Sequence, residues 1–460
     1  MRVILDFQAC QSGSRYRGIG RGSRSLMLGM ANHLISRGHE VICLLSEAFQ
    51  NGMPELKDDI LKSAPGVRLA SFSFPTPCAA AWPENLWRQM AARMLREHAI
   101  ACLEPDFVHV PALLADGWGD DAVGSIGVLG VHIPTSLTQH DLIPLAMADI
   151  YMPPGSFCDY YMEKLQGVKQ ADLFLAISEY SRQEVITLLS VPADDVIHIS
   201  SAADSLFNST ISTPQQVKHL FERYNLKPGF LLYAPGGFDP RKNIDRLLEA
   251  YALLPADIQA NHQLVIASKL DDGRRMVLEG KANKLGIRSI DLILTDYLPD
   301  DELISLYRAC YAYIFPSLHE GFGLPALEAM LCGAPVIASD CTCIPEVIGN
   351  DEALFDPYDS KSMADKIMAI ISDNNFRQRL IDHSAIQPHK FSWEKSAQIA
   401  VDALEQKSNK LKRAGWTVTK KSALPSCTEM LEKLAVLIPT VSPDDHDLSV
   451  FKACYLNNLG

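Results

Sequence analysis

The chain carries, between residues 315 and 328, the stretch Phe315-Pro316-Ser317-Leu318-His319-Glu320-Gly321-Phe322-Gly323-Leu324-Pro325-Ala326-Leu327-Glu328. It predicts a strand, a turn and a helix, because proline is well tolerated at the first helical positions. Glu320 then ends the strand, and Glu328 lies about two turns into the helix. Gly323 lets the backbone approach a ligand, and the free N–H groups of a helix start suit an anion. The pattern predicts a pocket for a sugar joined to a phosphate; the alternative is an ordinary strand–helix turn with surface acids.

Short β-branched runs alternate with helical periodicities on both sides of this stretch, which predicts parallel sheets covered on both faces. We therefore expect an α/β fold with two doubly wound, Rossmann-like domains. Their ligand-binding edges would face each other across a cleft. The predicted strands are Arg2–Phe7, Glu40–Leu45, Phe107–Val110, Ser125–Val131, Leu173–Ile177, Val196–Ile199, Phe230–Ala234, Gln263–Ala267, Ile290–Leu294, Tyr311–Phe315 and Pro335–Ala338.

The composition is that of a soluble globular chain, with 460 residues, 47% hydrophobic and 21% charged. The length favours two or three domains. A net charge of −13 argues against general affinity for nucleic acid. The eleven cysteines lie mostly in apolar runs and are predicted to be reduced. A charged residue follows the first apolar run at Asp6, and no run is long enough to span a bilayer, so we expect a cytoplasmic protein.

Several motifs together resemble one known family. Glu320 and Glu328 match the E-x7-E signature of retaining glycosyltransferases of family 4, which have the GT-B fold. Gly236-Gly237-Phe238-Asp239-Pro240-Arg241-Lys242-Asn243 resembles their phosphate-contacting loop. Asp6-Phe7-Gln8 and Arg17-Gly18-Ile19-Gly20-Arg21 are similar to the mannosyltransferase branch that extends O-antigen and other surface polysaccharides. The resemblance covers about residues 1–405.

The resemblance also implies how the chain is organised. A polar connector separates the two halves, and the composition changes again beyond Gln406. The predicted segments are an N-terminal Rossmann-like acceptor domain (1–200), a connector (201–229), a C-terminal Rossmann-like domain for the nucleotide-sugar donor (230–390), a helix packing back toward the first domain (391–406), a basic linker (407–432) and the start of a truncated second module (433–460).

The resemblance implies roles for individual residues of the donor site. Glu328 would hold the ribose hydroxyls, and Glu320 would approach the hydroxyls of the donor sugar. Lys242 would stabilise the leaving diphosphate; the alternative is a solvated lysine. Glu320, Lys242 and His140 are the catalytic candidates. The donor-binding candidates are Gly236, Gly237, Arg241, Lys242, Tyr297, Glu320, Gly321, Phe322, Gly323, Leu324 and Glu328.

Two positions depart from the family pattern. Gly237 stands where many members have arginine, and Arg241 next to Lys242 is the candidate for the second cation. Asp296 stands where members commonly have glycine, so it either alters the contact with the nucleotide base or faces solvent.

His140 and one glycine-rich segment are candidates in the first half. His140 matches the family's His-Asp position, which contacts the donor sugar; a turn with local hydrogen bonds is the alternative. Arg17, Gly18, Gly20 and Arg21 form a candidate loop for an anionic acceptor or phosphate. A dinucleotide fingerprint is excluded there, because the glycines do not follow the strand directly.

The C-terminal part has a different character. Lys407–Lys421 holds six cations and no acid, which predicts either peripheral contact with the inner face of the cytoplasmic membrane or a solvated linker. Lys433–Pro439 is apolar and predicts the first strand of a second module.

The function that these observations predict is retaining transfer of a hexosyl group, most simply mannose from GDP-mannose, to a growing lipid-linked glycan. No metal or other cofactor is expected, because no Asp-x-Asp motif follows a suitable strand. The partners would be a nucleotide sugar and a glycan, with no nucleic acid. The alternatives are the same chemistry with a UDP- or ADP-sugar, a sugar-nucleotide epimerase or hydrolase, and a non-catalytic glycan-binding module.

Overall fold

The structure, a computed structural model, describes residues 1–210, 213–439 and 441–459. Residues 211, 212, 440 and 460 fall in the predicted connector and C-terminal segment and lie outside the described residues. The chain divides into two compact units, Met1–Ser201 with Trp393–Gly460 and Ala202–Ser392. The cleft between the two domains stays a prediction.

The first unit is built on a seven-stranded parallel sheet in the order β3-β2-β1-β4-β5-β6-β7. This order reverses at β1, as the doubly wound prediction requires. Both faces are buried, because Val3 and Leu5 belong to one apolar cluster and Ile4 to another. The strands are β1 Arg2–Asp6, β2 Glu40–Ser46, β3 Arg68–Phe72, β4 Phe107–Val110, β5 Thr135–Gln139, β6 Leu173–Ala176 and β7 Val196–His198.

Helices cover the two faces of this first sheet. Its central strands are short and buried, so each strand has a cover on both sides. The helices up to the end of β7 are α1 Gly18–Ser36, α2 Met53–Ser63, α3 Leu86–Cys102, α4 Ile143–Ala146, α5 Ala148–Tyr151, α6 Ser156–Val168 and α7 Glu179–Leu189.

The second unit repeats the architecture with six parallel strands in the order β10-β9-β8-β11-β12-β13. Its strands are β8 Leu231–Tyr233, β9 Leu264–Ile266, β10 Leu292–Leu294, β11 Ala312–Phe315, β12 Val336–Ser339 and β13 Leu354–Phe355. Its helices are α8 Pro214–Tyr224, α9 Ile244–Ala252, α10 Ala256–Asn261, α11 Asp272–Lys284, α12 Asp300–Ala309, α13 Leu324–Leu331, α14 Ile344–Ile348, α15 Ser360–Ser372 and α16 Asn374–Ser384. Two successive Rossmann-like units are the domains of the GT-B fold.

The last three helices belong to the first unit, and they correct two predictions. The helix predicted at 391–406 continues to Arg413, so the basic linker begins inside it. The strand predicted at 433–439 is wrong: Ser426 and Glu429 form a capping box, and the buried Met430 and Leu434 lie one helical turn apart. These helices are α17 Trp393–Arg413, α18 Cys427–Leu437 and α19 Asp445–Asn457.

The strand predicted at Ser125–Val131 is also wrong. Gly127 and Gly130 have positive φ angles of 84° and 82°, which interrupt an extended run. The carboxylate of Glu97 accepts hydrogen bonds from the N–H groups of Val128 (3.2 Å) and Leu129 (2.7 Å), which replace strand pairing. The edge strand β3 was not predicted, because its side chains are mostly exposed or half-buried.

Candidate functional site

Two motifs that are distant in the sequence meet at one edge of the second sheet. Strand β8 precedes the 236–243 loop and strand β11 precedes Glu320, and the two strands are parallel neighbours. The N–H of Leu318 donates to the carbonyl of Arg241 at 2.7 Å, so the two loops are also tied through their backbones. Their side chains therefore share one region beyond the carboxyl ends of the strands.

Glu320 lies between two cations in this region. Its carboxylate accepts from Lys242 Nζ at 2.5 Å and from Arg241 Nη1 at 2.7 Å. Lys242 is 7% exposed and Glu320 is 8% exposed, so the solvated-lysine alternative is wrong. Arg241 turns toward Glu320, and the same Nη1 also donates to the carbonyl of His319. The three side chains form one cluster, with Lys242 and Glu320 buried and Arg241 partly buried, which we call the Glu320 cluster.

The electrostatics of the Glu320 cluster favour an ionised carboxylate. Burial alone would raise the pKa of Glu320, but the charges of Lys242 and Arg241 and the hydrogen bond from Lys242 lower it below its usual range. The cluster therefore combines the Glu320 carboxylate with two cations, and Arg241 Nε also lies 3.7 Å from a carboxylate oxygen of Asp239.

The glycines of the 236–243 loop have a conformational reason. Gly236 has a φ of +68° and Gly237 a φ of +151°, and side chains on L residues strain such backbones. This conformation explains why glycine, and not arginine, stands at position 237 here. The second cation of the Glu320 cluster comes from Arg241.

Glu320 does not end the strand as predicted, because β11 stops at Phe315, but the turn after Glu320 has the predicted geometry. Gly323 precedes α13 with a φ of +95°, and a Cβ there would lie 3.3 Å from the ring of Phe315. Gly321 and Phe322 are buried, and Leu324 is the first residue of α13. Glu328 lies half-buried in the second turn of this helix, as the spacing predicted.

Tyr297 does not join the Glu320 cluster. Tyr297 follows β10, and strands β9 and β8 lie between β10 and β11. At the usual strand spacing, the ends of β10 and β11 are therefore about 14 Å apart. The ring of Tyr297 is 70% exposed. The neighbouring Asp296 is exposed and pairs with Arg275 at 3.1 Å. Contact of either residue with a nucleotide base stays a prediction.

Thr342 and Cys343, which were not among the predicted site residues, hold Glu320 in place. The N–H of Glu320 donates to Thr342 Oγ1 at 3.4 Å, and Cys343 Sγ donates to the carbonyl of Glu320 at 3.1 Å. Thr342 has a φ of +54°, an uncommon conformation for a β-branched residue. The only signal in the sequence is position, since the segment follows β12, the neighbour of β11.

His140 lies in the first unit, directly after β5. Its Nε2–H donates to the carbonyl of Pro111 at 2.9 Å, which makes Nδ1 the acceptor of the ring. Burial lowers the pKa of His140, so the imidazole is neutral near pH 7. His140 and Arg17 line one cavity of about 200 Å³. Contact of His140 with a donor sugar stays a prediction.

The predicted acceptor loop is a helix start. Arg17 precedes α1, while Gly18, Gly20 and Arg21 lie in its first turn. The segment is therefore helical where a loop was predicted. Glycine at position 20 has a packing reason, because a Cβ there would lie 2.3 Å from the carbonyl oxygen of Ser14. Arg17 is exposed, and Arg21 is half-buried.

Much of the basic segment 407–421 is bound within the first unit. Lys407 pairs with Asp195 at 2.7 Å, and Lys412 pairs with Asp106 at 2.6 Å. Lys420 lies 3.4 Å from Glu104. These ion pairs give three of the six cations a role within the protein. In the part of the chain that the structure describes, no helix is both long enough and apolar enough to cross a membrane.

Comparison with known families identifies both halves of the chain. Residues 20–205 match the family described as Glycosyltransferase Family 4, and residues 218–386 match Glycosyl transferases group 1. The second match contains all the residues of the Glu320 cluster.

Individual proteins agree with this result. The chain is 34% identical over 440 residues to the serotype-specific mannosyltransferase WbdA of Escherichia coli, which covers 95% of this chain and 52% of WbdA. It is 34% identical over 249 residues to the O-antigen chain mannosyltransferase B of E. coli, covering 53% and 63% of the two chains. The chain thus spans about half the length of WbdA.

Solved structures share the fold. HepE of Anabaena, crystallised with UDP and glucose, superposes with a TM-score of 0.61 at 18% identity and covers 88% of this chain and 100% of its own. At this identity the likeness shows the fold alone.

Proposed function

We propose a mannosyl transfer for this chain, which belongs to the family 4 glycosyltransferases. The donor would be GDP-mannose, and the acceptor a growing, lipid-linked glycan of the O-antigen type. The Glu320 cluster is the observation that carries the proposal, because it places two cations and a carboxylate at the end of two neighbouring strands. The mannosyltransferases at 34% identity support the choice of sugar.

The cluster fits the charge changes of the reaction. When the bond between sugar and diphosphate breaks, negative charge develops on the leaving group. Lys242 and Arg241 would stabilise it, together with the N–H groups at the start of α13. The diphosphate would compete with Glu320 for these cations, which would free the carboxylate to accept hydrogen bonds from sugar hydroxyls. Glu328 would hold the ribose.

We further propose that the transfer retains the anomeric configuration and needs no metal. Retention would follow from attack on the same face of the sugar, assisted by the leaving phosphate, as in the family resembled. Lys242 and Arg241 would supply the charge that a metal ion supplies elsewhere.

The test is a transfer assay with the full chain, a mannose oligosaccharide on an alkyl aglycone, and GDP-mannose, UDP-glucose or ADP-glucose, each with and without EDTA. We expect an α-mannosyl product from GDP-mannose alone, read by NMR and unaffected by EDTA. Glu320→Gln and Lys242→Met should lower kcat/KM by about 100-fold or more. Lys361→Met, an exposed lysine of the second unit, is the control and should keep full activity.

The alternatives give different results in the same assay. Free mannose or an epimerised donor without acceptor would indicate a hydrolase or an epimerase. A thermal-shift screen tests the non-catalytic alternative, in which a nucleotide sugar binds without being transferred. A ligand at 100 times its Kd stabilises the folded chain by about 2.7 kcal/mol. If no nucleotide sugar shifts the transition, the proposal fails.

A further inference from the structure

Two buried cations of the first unit lie outside the candidate sites described above. Arg93 is on α3 and Lys164 is on α6, and they are 5% and 7% exposed. Both line one cavity of about 360 Å³. This volume lies within the range of ligand-binding pockets.

Arg93 has a buried donor without a hydrogen-bond partner, and Lys164 has no ion-pair partner among the described residues. Arg93 Nη1 pairs with Glu163 at 2.5 Å, but Nη2 is buried and has no hydrogen-bond partner among the described residues. Lys164 Nζ donates only to backbone carbonyls, those of Leu113 (2.9 Å) and Asp116 (3.0 Å). No carboxylate of the described chain forms an ion pair with it. Leaving a buried charged donor without an acceptor is costly, so the arrangement suits an anion from outside the chain.

The rest of the cavity wall favours an anion with an apolar body. A third cation, Lys433 on α18, also lines the cavity, and Glu163 is its only acidic residue. Glu163 is half-exposed, so it can turn to solvent when another anion takes its place beside Arg93. The apolar lining residues are Met90, Leu113, Ile126, Val128 and Leu437.

We propose that this cavity binds an amphiphilic organic anion, with one phosphate or carboxylate held by Arg93 and Lys164 and an alkyl body against the apolar wall. A guanidinium fork and an ammonium together suit such a head group. The site is separate from the Glu320 cluster, so the proposal does not depend on the proposed transfer reaction.

The cavity also adjoins the candidate residues of the first unit. Leu113 lines both this cavity and the one that contains His140 and Arg17. The turn that Lys164 holds includes Asp116, whose carboxylate accepts from Ser14 Oγ at 2.6 Å, just before α1. Only Leu113 would therefore separate an anion bound here from the cavity that contains Arg17 and His140.

The test measures binding of decyl phosphate, decanoate, 1-decanol and inorganic phosphate to the full chain at pH 6, where Lys164 is protonated, by native mass spectrometry and calorimetry. We expect both decyl anions to bind in a 1:1 ratio. Arg93→Met and Lys164→Met should each weaken binding by at least tenfold. Lys169→Met, an exposed lysine just beyond the same helix, should leave it unchanged.

The four ligands separate the sources of affinity. If decanol binds as tightly as decyl phosphate, the cations play no part; if inorganic phosphate binds as tightly, the apolar wall plays none. Either result, or no binding at all, overturns the proposal. Should the methionine variants fail to fold, Met90→Trp, at a half-buried lining position of α3, adds bulk to the cavity without removing a buried cation. This variant must abolish binding at an unchanged Tm, and retained binding overturns the proposal.

Discussion

At the residue scale, Glu320 organises the charges of the second unit. Its two carboxylate oxygens accept from different cations, Lys242 and Arg241; the pair with Lys242 is buried and the pair with Arg241 is partly buried. Removing one partner of a buried ion pair is costly because a buried charge is left without compensation. The three residues should therefore depend on one another for stability as well as for ligand binding.

A double-mutant cycle on Lys242→Met and Glu320→Gln measures this dependence. We expect Glu320→Gln to lower the free energy of unfolding by about 3 kcal/mol, because it leaves two cations facing each other. The double variant should recover at least about 1 kcal/mol of the summed loss, measured by urea denaturation. The exposed pair Lys361 and Asp365, at 2.9 Å, is the control and should couple by less than about 0.5 kcal/mol. If the losses in the free energy of unfolding of the two single variants add up in the double variant, the two residues do not depend on each other for stability.

Lys164 predicts a pH dependence of stability. Burial, assisted by Arg93, lowers its pKa to about 7 from an ordinary value of 10.5. Above pH 7 the unfolded chain therefore keeps a proton that the folded chain has lost, so the free energy of unfolding rises with pH up to about 10.5. Between pH 7.5 and 8.5 the wild type should gain about 1 kcal/mol relative to Lys164→Met in urea denaturation. Parallel pH curves would refute this, and Lys169→Met serves as the control.

At the scale of elements, α18 shows how packing decides between strand and helix. Its apolar residues at 433–439 fit either structure, but Met430, Leu434 and Ile438 lie one turn apart and all enter a core cluster that includes residues of α3. The capping box at Ser426 and Glu429 fixes the start of the helix. The segment therefore completes the first unit.

Two substitutions within α18 test this role. Leu434 is 1% exposed and Val436 is 78% exposed. Leu434→Ala should lower the free energy of unfolding of the first unit by about 3 kcal/mol, because it leaves a cavity in the core. Val436→Ala should change it by less than about 0.5 kcal/mol. Equal effects in chemical denaturation would show that α18 does not pack on the core.

At the scale of the whole molecule, the donor candidates all belong to one continuous unit. Ala202–Ser392 contains the Glu320 cluster, the glycine turn and Glu328, and it has its own sheet and core. A fragment of residues 202–392 should fold cooperatively and bind GDP, with a rise in Tm that Glu320→Gln and Lys242→Met change. The same fragment carrying Lys361→Met is the control. A folded fragment whose Tm does not rise with GDP would show that the donor candidates do not suffice for binding.

Patterns along the chain are enough to predict the elements of this protein and the turns between them. The strand, turn and helix around Glu320, the two doubly wound units and the need for glycine at Gly323 all follow from periodicity and turn chemistry, which depend on neighbours along the chain. Three features become visible only in the folded chain: Lys242 pairs with Glu320 across 78 positions, Thr342 supports Glu320, and 125–131 is not a strand. Such contacts depend on which elements become neighbours in space, and a single sequence does not show which distant segments will be neighbours.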